Sequence, residues 1–178
     1  CCDTFLNRYP KTYEANLLLF TKSRGLHRLG KTQEAILEMK RFNKLKSHLT
    51  SEELSHYGVL YQDYIEKNPN DSLTPQYMLE LANVMSAIGN KAGAVDQFKS
   101  FYQAYPDAEF APYAMMQAAD ISDKRLKDTA AARVILVELM DKYPNHPFGL
   151  EAKTIIDKGY LGKSNAEVLQ DILKSKES

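Results

Sequence analysis

Residues 75–106 read PQYMLELANVMSAIGNKAGAVDQFKSFYQAYP. Two helical runs flank Gly89-Asn90, and Pro106 stops the second. Ala82 and Ala94 stand at the eighth and twentieth places, and Met78, Leu81, Met85, Phe98 and Phe101 recur at helical spacing around them. Small residues at two fixed places let a pair of helices approach closely. Large apolar residues on either side then interlock as ridges in grooves. The stretch predicts a helix-turn-helix unit of a length typical of helical repeats, which bury a core only by stacking.

The register recurs on both sides. Residues 16–47 carry Leu19, Ser23, Leu26, Gly30, Ala35, Met39 and Phe42 in it, while Lys22 and Ser47 depart from it. Residues 112–144 carry Ala132, Leu136, Leu139 and Pro144 in it. There Ala119 takes the place of Ala82 only if one residue is inserted in the turn around Asp123 to Asp128, a turn without glycine. Pro69, Pro106 and Pro144 are 37 and 38 residues apart, but Pro10 to Pro69 is 59, so that interval holds an extra helix. Thr50 with Glu53 caps it, and Leu54, Tyr57, Leu60, Tyr61, Tyr64 and Ile65 are its apolar positions. After Pro144 comes a helix from about Pro147 to Asp157, broken at Gly159 and Gly162, then a last helix capped by Ser164 and Glu167.

The expected fold class is therefore all-α. It is a right-handed superhelical solenoid of antiparallel helix pairs, with an extra helix after the first repeat and a C-terminal capping helix. Read as one domain over 1–178, it divides into the end of a preceding helix (1–10), repeat 1 (12–48), the extra helix (50–68), repeat 2 (74–106), repeat 3 (111–144) and capping helices (146–175).

Composition narrows the function. The chain of 178 residues has 23 Lys+Arg and 23 Asp+Glu, so it is not the uniformly basic protein that nucleic acid selects. The balance is uneven: residues 22–48 hold eight basic against two acidic, net +6, and residues 49–123 hold three against eleven, net −8. No apolar run approaches the ~18 residues of a membrane span. The only cysteines, Cys1 and Cys2, exclude a disulfide framework and a four-cysteine zinc site.

Motifs for chemistry are missing. Gly89-Asn90-Lys91-Ala92-Gly93 lacks the spacing of a phosphate loop and reads as a turn. No Gly-x-Ser-x-Gly elbow exists, and neither cysteine has an identifiable activating base. His48, Glu52 and His56 are four apart, as metal ligands on a helix would be, but the cap at Thr50 interrupts that helix. His146 lies between two prolines without a partner by spacing. The expectation is a protein that is not an enzyme and needs no cofactor or metal.

The unit at 75–106 fits the tetratricopeptide pattern, and its copies carry further marks of a narrower group. Phe101-Tyr102-Gln103-Ala104-Tyr105-Pro106-Asp107 is followed by Ala111-Pro112-Tyr113-Ala114, and later by Asp141-Lys142-Tyr143-Pro144-Asn145-His146-Pro147. With Leu161-Gly162-Lys163-Ser164 before an acidic helix, the chain resembles tetratricopeptide lipoproteins of the Gram-negative envelope. These include the barrel-assembly lipoprotein subunit and periplasmic coordinators of growth and division. The resemblance implies a non-catalytic scaffold in the periplasm or at the outer membrane that binds a partner protein. A lipid on Cys1 would be its sole membrane attachment, because mature lipoproteins start on cysteine. Cys1 reads equally as a cut within a longer protein. An accessory subunit of an outer-membrane assembly or secretion complex, and a cytoplasmic adaptor, remain alternatives.

In this repeat type the first helices line a concave groove. The first copy places Leu17, Phe20, Arg24, His27 and Arg28 there, and the second Gln76, Leu79, Asn83, Ser86 and Ala87. The third places Tyr113, Met116, Asp120, Asp123 and Lys124, subject to the turn insertion. Such a groove runs from basic to polar to mostly acidic and suits a peptide or helix of opposite gradient. The chain's own extra helices filling the groove is the competing reading. Lys40, Arg41, Lys44 and Lys46 fall on a second helix, where a solvated face is the ordinary use. The eleven tyrosines and seven phenylalanines read as core packing before they read as a stacking surface for single-stranded nucleic acid.

Overall fold

A computed structural model describes residues 12–45 and 48–174, together with residues 4 and 8. Cys1, Cys2 and the helix end expected within 1–10 lie outside the described residues, apart from those two positions. The described chain is all-helical. It divides into two compact units, Cys1–Gly89 and Asn90–Ser178.

The first unit holds α1 (Tyr13–Arg28), α2 (Thr32–Leu45), α3 (Ser51–Lys67) and α4 (Thr74–Ala87). The α1 helix starts where the Thr12 hydroxyl accepts the Ala15 amide, and it turns into α2 at Gly30, whose φ of 75° suits glycine. Ala15, Leu19 and Ser23 make one buried stripe of α1, against Ala35, Ile36, Met39 and Phe42 of α2. The Ser23 hydroxyl donates to the Ala35 carbonyl at 2.9 Å, which only a small side chain at a close crossing permits. Lys22, the departure from the register, forms a 2.9 Å ion pair with the largely buried Glu38. The expected cap of α3 is present: Thr50 and Glu53 exchange hydrogen bonds of 2.7 and 3.3 Å. Tyr57, Leu60, Tyr61 and Tyr64 are its buried face, and α4 packs on it through Tyr77, Leu81 and Val84. Tyr77 stands edge-on to Tyr64 at 4.8 Å and 5.1 Å from Tyr61, an arrangement the ring quadrupoles favour.

The second unit holds α5 (Lys91–Ala104), α6 (Ala111–Asp120), α7 (Thr129–Lys142), α8 (Pro147–Asp157) and α9 (Asn165–Lys174). The α5 helix opens on Asn90, which accepts the Gly93 amide, and closes at Tyr105-Pro106. Almost all of α6 is buried, from Ala111 to Ala119, between α5 and α7. The inserted residue in the third copy has a physical form. Ile121–Arg125 is a π-helical turn, with the Leu126 amide reaching back to Ile121. A π-turn absorbs one extra residue without breaking the helix. Lys127 then takes φ 59°, the backbone position a glycine would usually fill. The α7 helix buries Ala132, Ile135, Leu136 and Leu139, and the Tyr143 hydroxyl donates to the Pro106 carbonyl 37 residues earlier. His146 has a structural role that spacing did not show: its Nδ1 accepts the Phe148 amide and caps α8. Gly149 is required there, because a Cβ would stand 2.0 Å from the Tyr143 carbonyl oxygen. The Ser164–Glu167 cap of α9 is present, at 2.7 and 3.3 Å. The α9 helix covers its neighbours only partly: Val168 and Ile172 are half-buried, while Leu169 and Leu173 are exposed.

Candidate functional site

The predicted groove residues of the first copy turn toward α3. Phe20 stacks on Phe42 at 5.8 Å and meets the His56 ring edge-on at 5.5 Å. Arg24 lies 5.7 Å over the Phe20 ring and pairs with Glu52 at 3.4 Å. His27 reaches Asp63 at 3.5 Å, and Asp63 also accepts from the Thr32 hydroxyl and pairs with Lys67 at 2.7 Å. Leu17 and Arg28 stay exposed. So α3 itself engages Phe20, Arg24 and His27.

Charge is tuned along this contact. Ser23 gives its proton to Ala35, so its oxygen accepts from the Nε2–H of His56 at 3.0 Å. Burial, then the neighbouring His27 and Arg24, lower the His56 pKa to about 4, so the ring is neutral at pH 7. Burial raises Asp63, but hydrogen bonds from Lys67 and Thr32 and the charges of Lys67 and His27 outweigh it and hold the carboxyl below its usual range. Ser23 is fully buried, so the Ser23–His56 contact is a packing device and not a nucleophile with its base. Among the described residues no His/Cys/Asp/Glu group could hold a metal ion, and His48 precedes α3 while Glu52 and His56 lie on it.

In the second copy Leu79 and Ser86 are half-buried and Gln76, Asn83 and Ala87 exposed on α4. In the third copy Tyr113 sits edge-on to Phe98 at 6.4 Å and is 6.2 Å from Phe148. Met116, Asp120, Asp123 and Lys124 come together as one wall of a cleft of about 450 Å³. Its other walls are Leu136, then Phe148, Glu151 and Ile155 of α8, and Tyr160, Leu161, Lys163 and Val168 of the C-terminal arm. The floor is apolar and the rim carries both signs of charge. Asp120 pairs with Lys124 at 2.7 Å, and Lys163 with Asp171 at 2.8 Å. Asp123 is buried and accepts the Gly162 amide at 2.9 Å, tying the arm to the turn between the two helices of the third copy. Such a cleft can hold apolar side chains while its rim fixes their orientation.

Sequence reasoning did not single out Phe148. The signal was present: Phe148 follows Pro147 as Tyr113 follows Pro112, each in the first turn of its helix.

Residues 76–108 and 113–146 match the family model described as Tetratricopeptide repeat. These two stretches are tetratricopeptide repeats. They coincide with the second and third copies, and the first of them runs across the division at Gly89–Asn90. No match was found among the curated proteins. Tetratricopeptide repeats are protein–protein interaction scaffolds and are generally non-catalytic.

Proposed function

We propose that the protein is a non-catalytic scaffold of the bacterial cell envelope that takes an apolar peptide or helix of a partner protein into the cleft of its second unit. The observation that carries this reading is the cleft itself. Met116, Asp120, Asp123 and Lys124, groove positions of a tetratricopeptide repeat, converge on Phe148, Ile155 and Tyr160 around about 450 Å³. That volume falls in the range of roughly 300–1,000 Å³ found for ligand sites. The neighbouring charges favour a partner bearing both signs, so binding weakens with salt.

Photo-crosslinking side chains at Lys124 and Glu151 stand on facing walls and should capture the same partner in cells, while one at the exposed Val134 should not. Equal capture at all three sites would refute the reading. The envelope placement is supported by the resemblance of the stretches around Tyr105-Pro106 and Ala111-Pro112-Tyr113-Ala114. Intact-mass measurement of the native protein tests it, since acylation of Cys1 adds a lipid's mass.

A further inference from the structure

The basic stretch 22–48 has no part in that cleft. Two of its lysines, which the sequence assigns to a solvated face, line a trough in the first unit: Lys44 is exposed and Lys40 half-buried. Lys40, Asn43 and Lys44 of α2 face Glu80, Asn83, Val84 and Ala87 of α4 across a trough of about 420 Å³. Its floor is Leu54, Tyr57 and Tyr61 of α3, closed by Leu49. The walls are polar helix faces at i, i+3, i+4 spacing, and the floor is aromatic and buried.

The polar groups of the walls are uncommitted. Among the described residues, Asn43, Lys44, Glu80 and Asn83 form no hydrogen bond or ion pair with another side chain or backbone group. Lys40 has its ammonium 4.8 Å over the Tyr77 ring, which orders the side chain along the trough without neutralising it. Polar side chains gathered around apolar surface are the arrangement of a binding site, where a few donors fix orientation and the floor supplies affinity.

The chemistry of the occupant follows from what the walls offer. Two ammonium groups and two carboxamides present donors suited to a carboxylate. The floor, with Leu49 and Leu54 beside the tyrosines, suits an apolar side chain. Glu80 argues against a polyanion. Its charge adds to burial in raising the Tyr57 and Tyr61 hydroxyls, so it stands near the tyrosine end, where a phosphate backbone would be repelled. A backbone N–H of a peptide is a suitable donor to it. We infer that this trough binds an acidic segment of a partner protein, with a carboxylate at Lys44, Asn43 and Asn83 and an adjacent aromatic side chain over the apolar floor. This site goes beyond the proposed function, because it lies in the first unit and uses none of the residues of the other cleft.

The probe is the fluorescein-labelled peptide acetyl-Gly-Asp-Glu-Phe-Asp-Gly-Gly-amide, read by fluorescence anisotropy on the full chain. Saturable binding is expected, weakened at least about tenfold by Lys44→Glu, a loss of about 1.4 kcal/mol. Ala87→Trp, which fills the trough from an exposed helix position and changes no charge, should weaken it similarly. Replacing the phenylalanine of the peptide by alanine should do the same. Circular dichroism melts matching the wild type show that both variants fold, and a variant that melts early is replaced by Asn83→Asp, which adds charge on the other wall. No binding by the wild type overturns the inference, as does binding indifferent to Lys44→Glu or to Ala87→Trp. A labelled thymidine dodecamer that binds more tightly than the peptide assigns the trough to nucleic acid and overturns it as well. Loss of photo-crosslinking at Lys124 and Glu151 has no bearing on these outcomes, so the two readings fail separately.

Discussion

The Asp123 carboxylate accepts the Gly162 amide at 2.9 Å, across 39 residues of sequence. One buried oxygen thus joins the π-turn between the two helices of the third copy to the arm that walls its cleft. Asp123→Ala should lower stability by about 1.5–3 kcal/mol, the usual worth of a hydrogen bond to a charged group. Hydrogen exchange should speed up at the Gly162 amide and its neighbours, with less effect in Asp123→Asn, which keeps an acceptor. Unchanged exchange in Asp123→Ala would remove the latch.

Two glycines inside helices should respond in opposite directions. A Cβ on Gly149 meets the Tyr143 backbone oxygen at 2.0 Å, and backbone cannot step aside as a side chain can. Gly149→Ala should cost about 3 kcal/mol or more. Gly25 has nothing within 4 Å of its Cβ position, so Gly25→Ala should gain about 0.5–1 kcal/mol. Urea denaturation of both variants checks the pair.

Acid sensitivity should come in two windows. His56, at about 4 in the folded protein against 6.5 in the unfolded chain, binds its proton more readily when unfolded. Its contribution is therefore complete above pH 6.5 and is lost as pH falls toward 4, by an amount on the order of 2 kcal/mol, discounted for its half-buried setting. The charged neighbours it faces are Arg24 and His27 of α1, with Glu52 on its own helix. Asp63 is depressed, so its contribution is present above the usual carboxylate pKa and is lost below it, at more acid pH. Melting temperature followed from pH 7 to 3 should show both steps, and His56→Gln should abolish only the first.

Lys127 holds φ 59° in the turn between α6 and α7. A side chain in that region costs about 1–2 kcal/mol. Lys127→Gly should raise stability, by less than that figure, because glycine also gains freedom in the unfolded chain. A thermal melt no higher than wild type would contradict the strain.

Much of this fold is readable from spacing. Ala82, Ala94, Ala119 and Ala132, expected where helices approach closely, are at most 2% exposed. The two capping boxes at Thr50–Glu53 and Ser164–Glu167 form as their four-residue patterns imply. Spacing does not say what covers a face. The register places Phe20, Arg24 and His27 on a groove, and only the packing of α3 reveals Glu52, His56 and Asp63 beside them. The same limit hid Phe148 and Lys40, whose surroundings come from helices far along the chain. The inserted residue was countable at Asp123 to Asp128, but its π-helical form depends on hydrogen bonds that no periodicity encodes.

The bond from the Tyr143 hydroxyl to the Pro106 carbonyl spans 37 residues, close to one repeat. The tyrosine before Pro144 therefore works as a ruler: it reaches back to Pro106 only when the block between them has the right length. Lengthening the array by a whole block ending in Tyr-Pro keeps the measure, whereas adding a few residues elsewhere in the block breaks it, unless a π-turn takes up the slack as Ile121–Arg125 does.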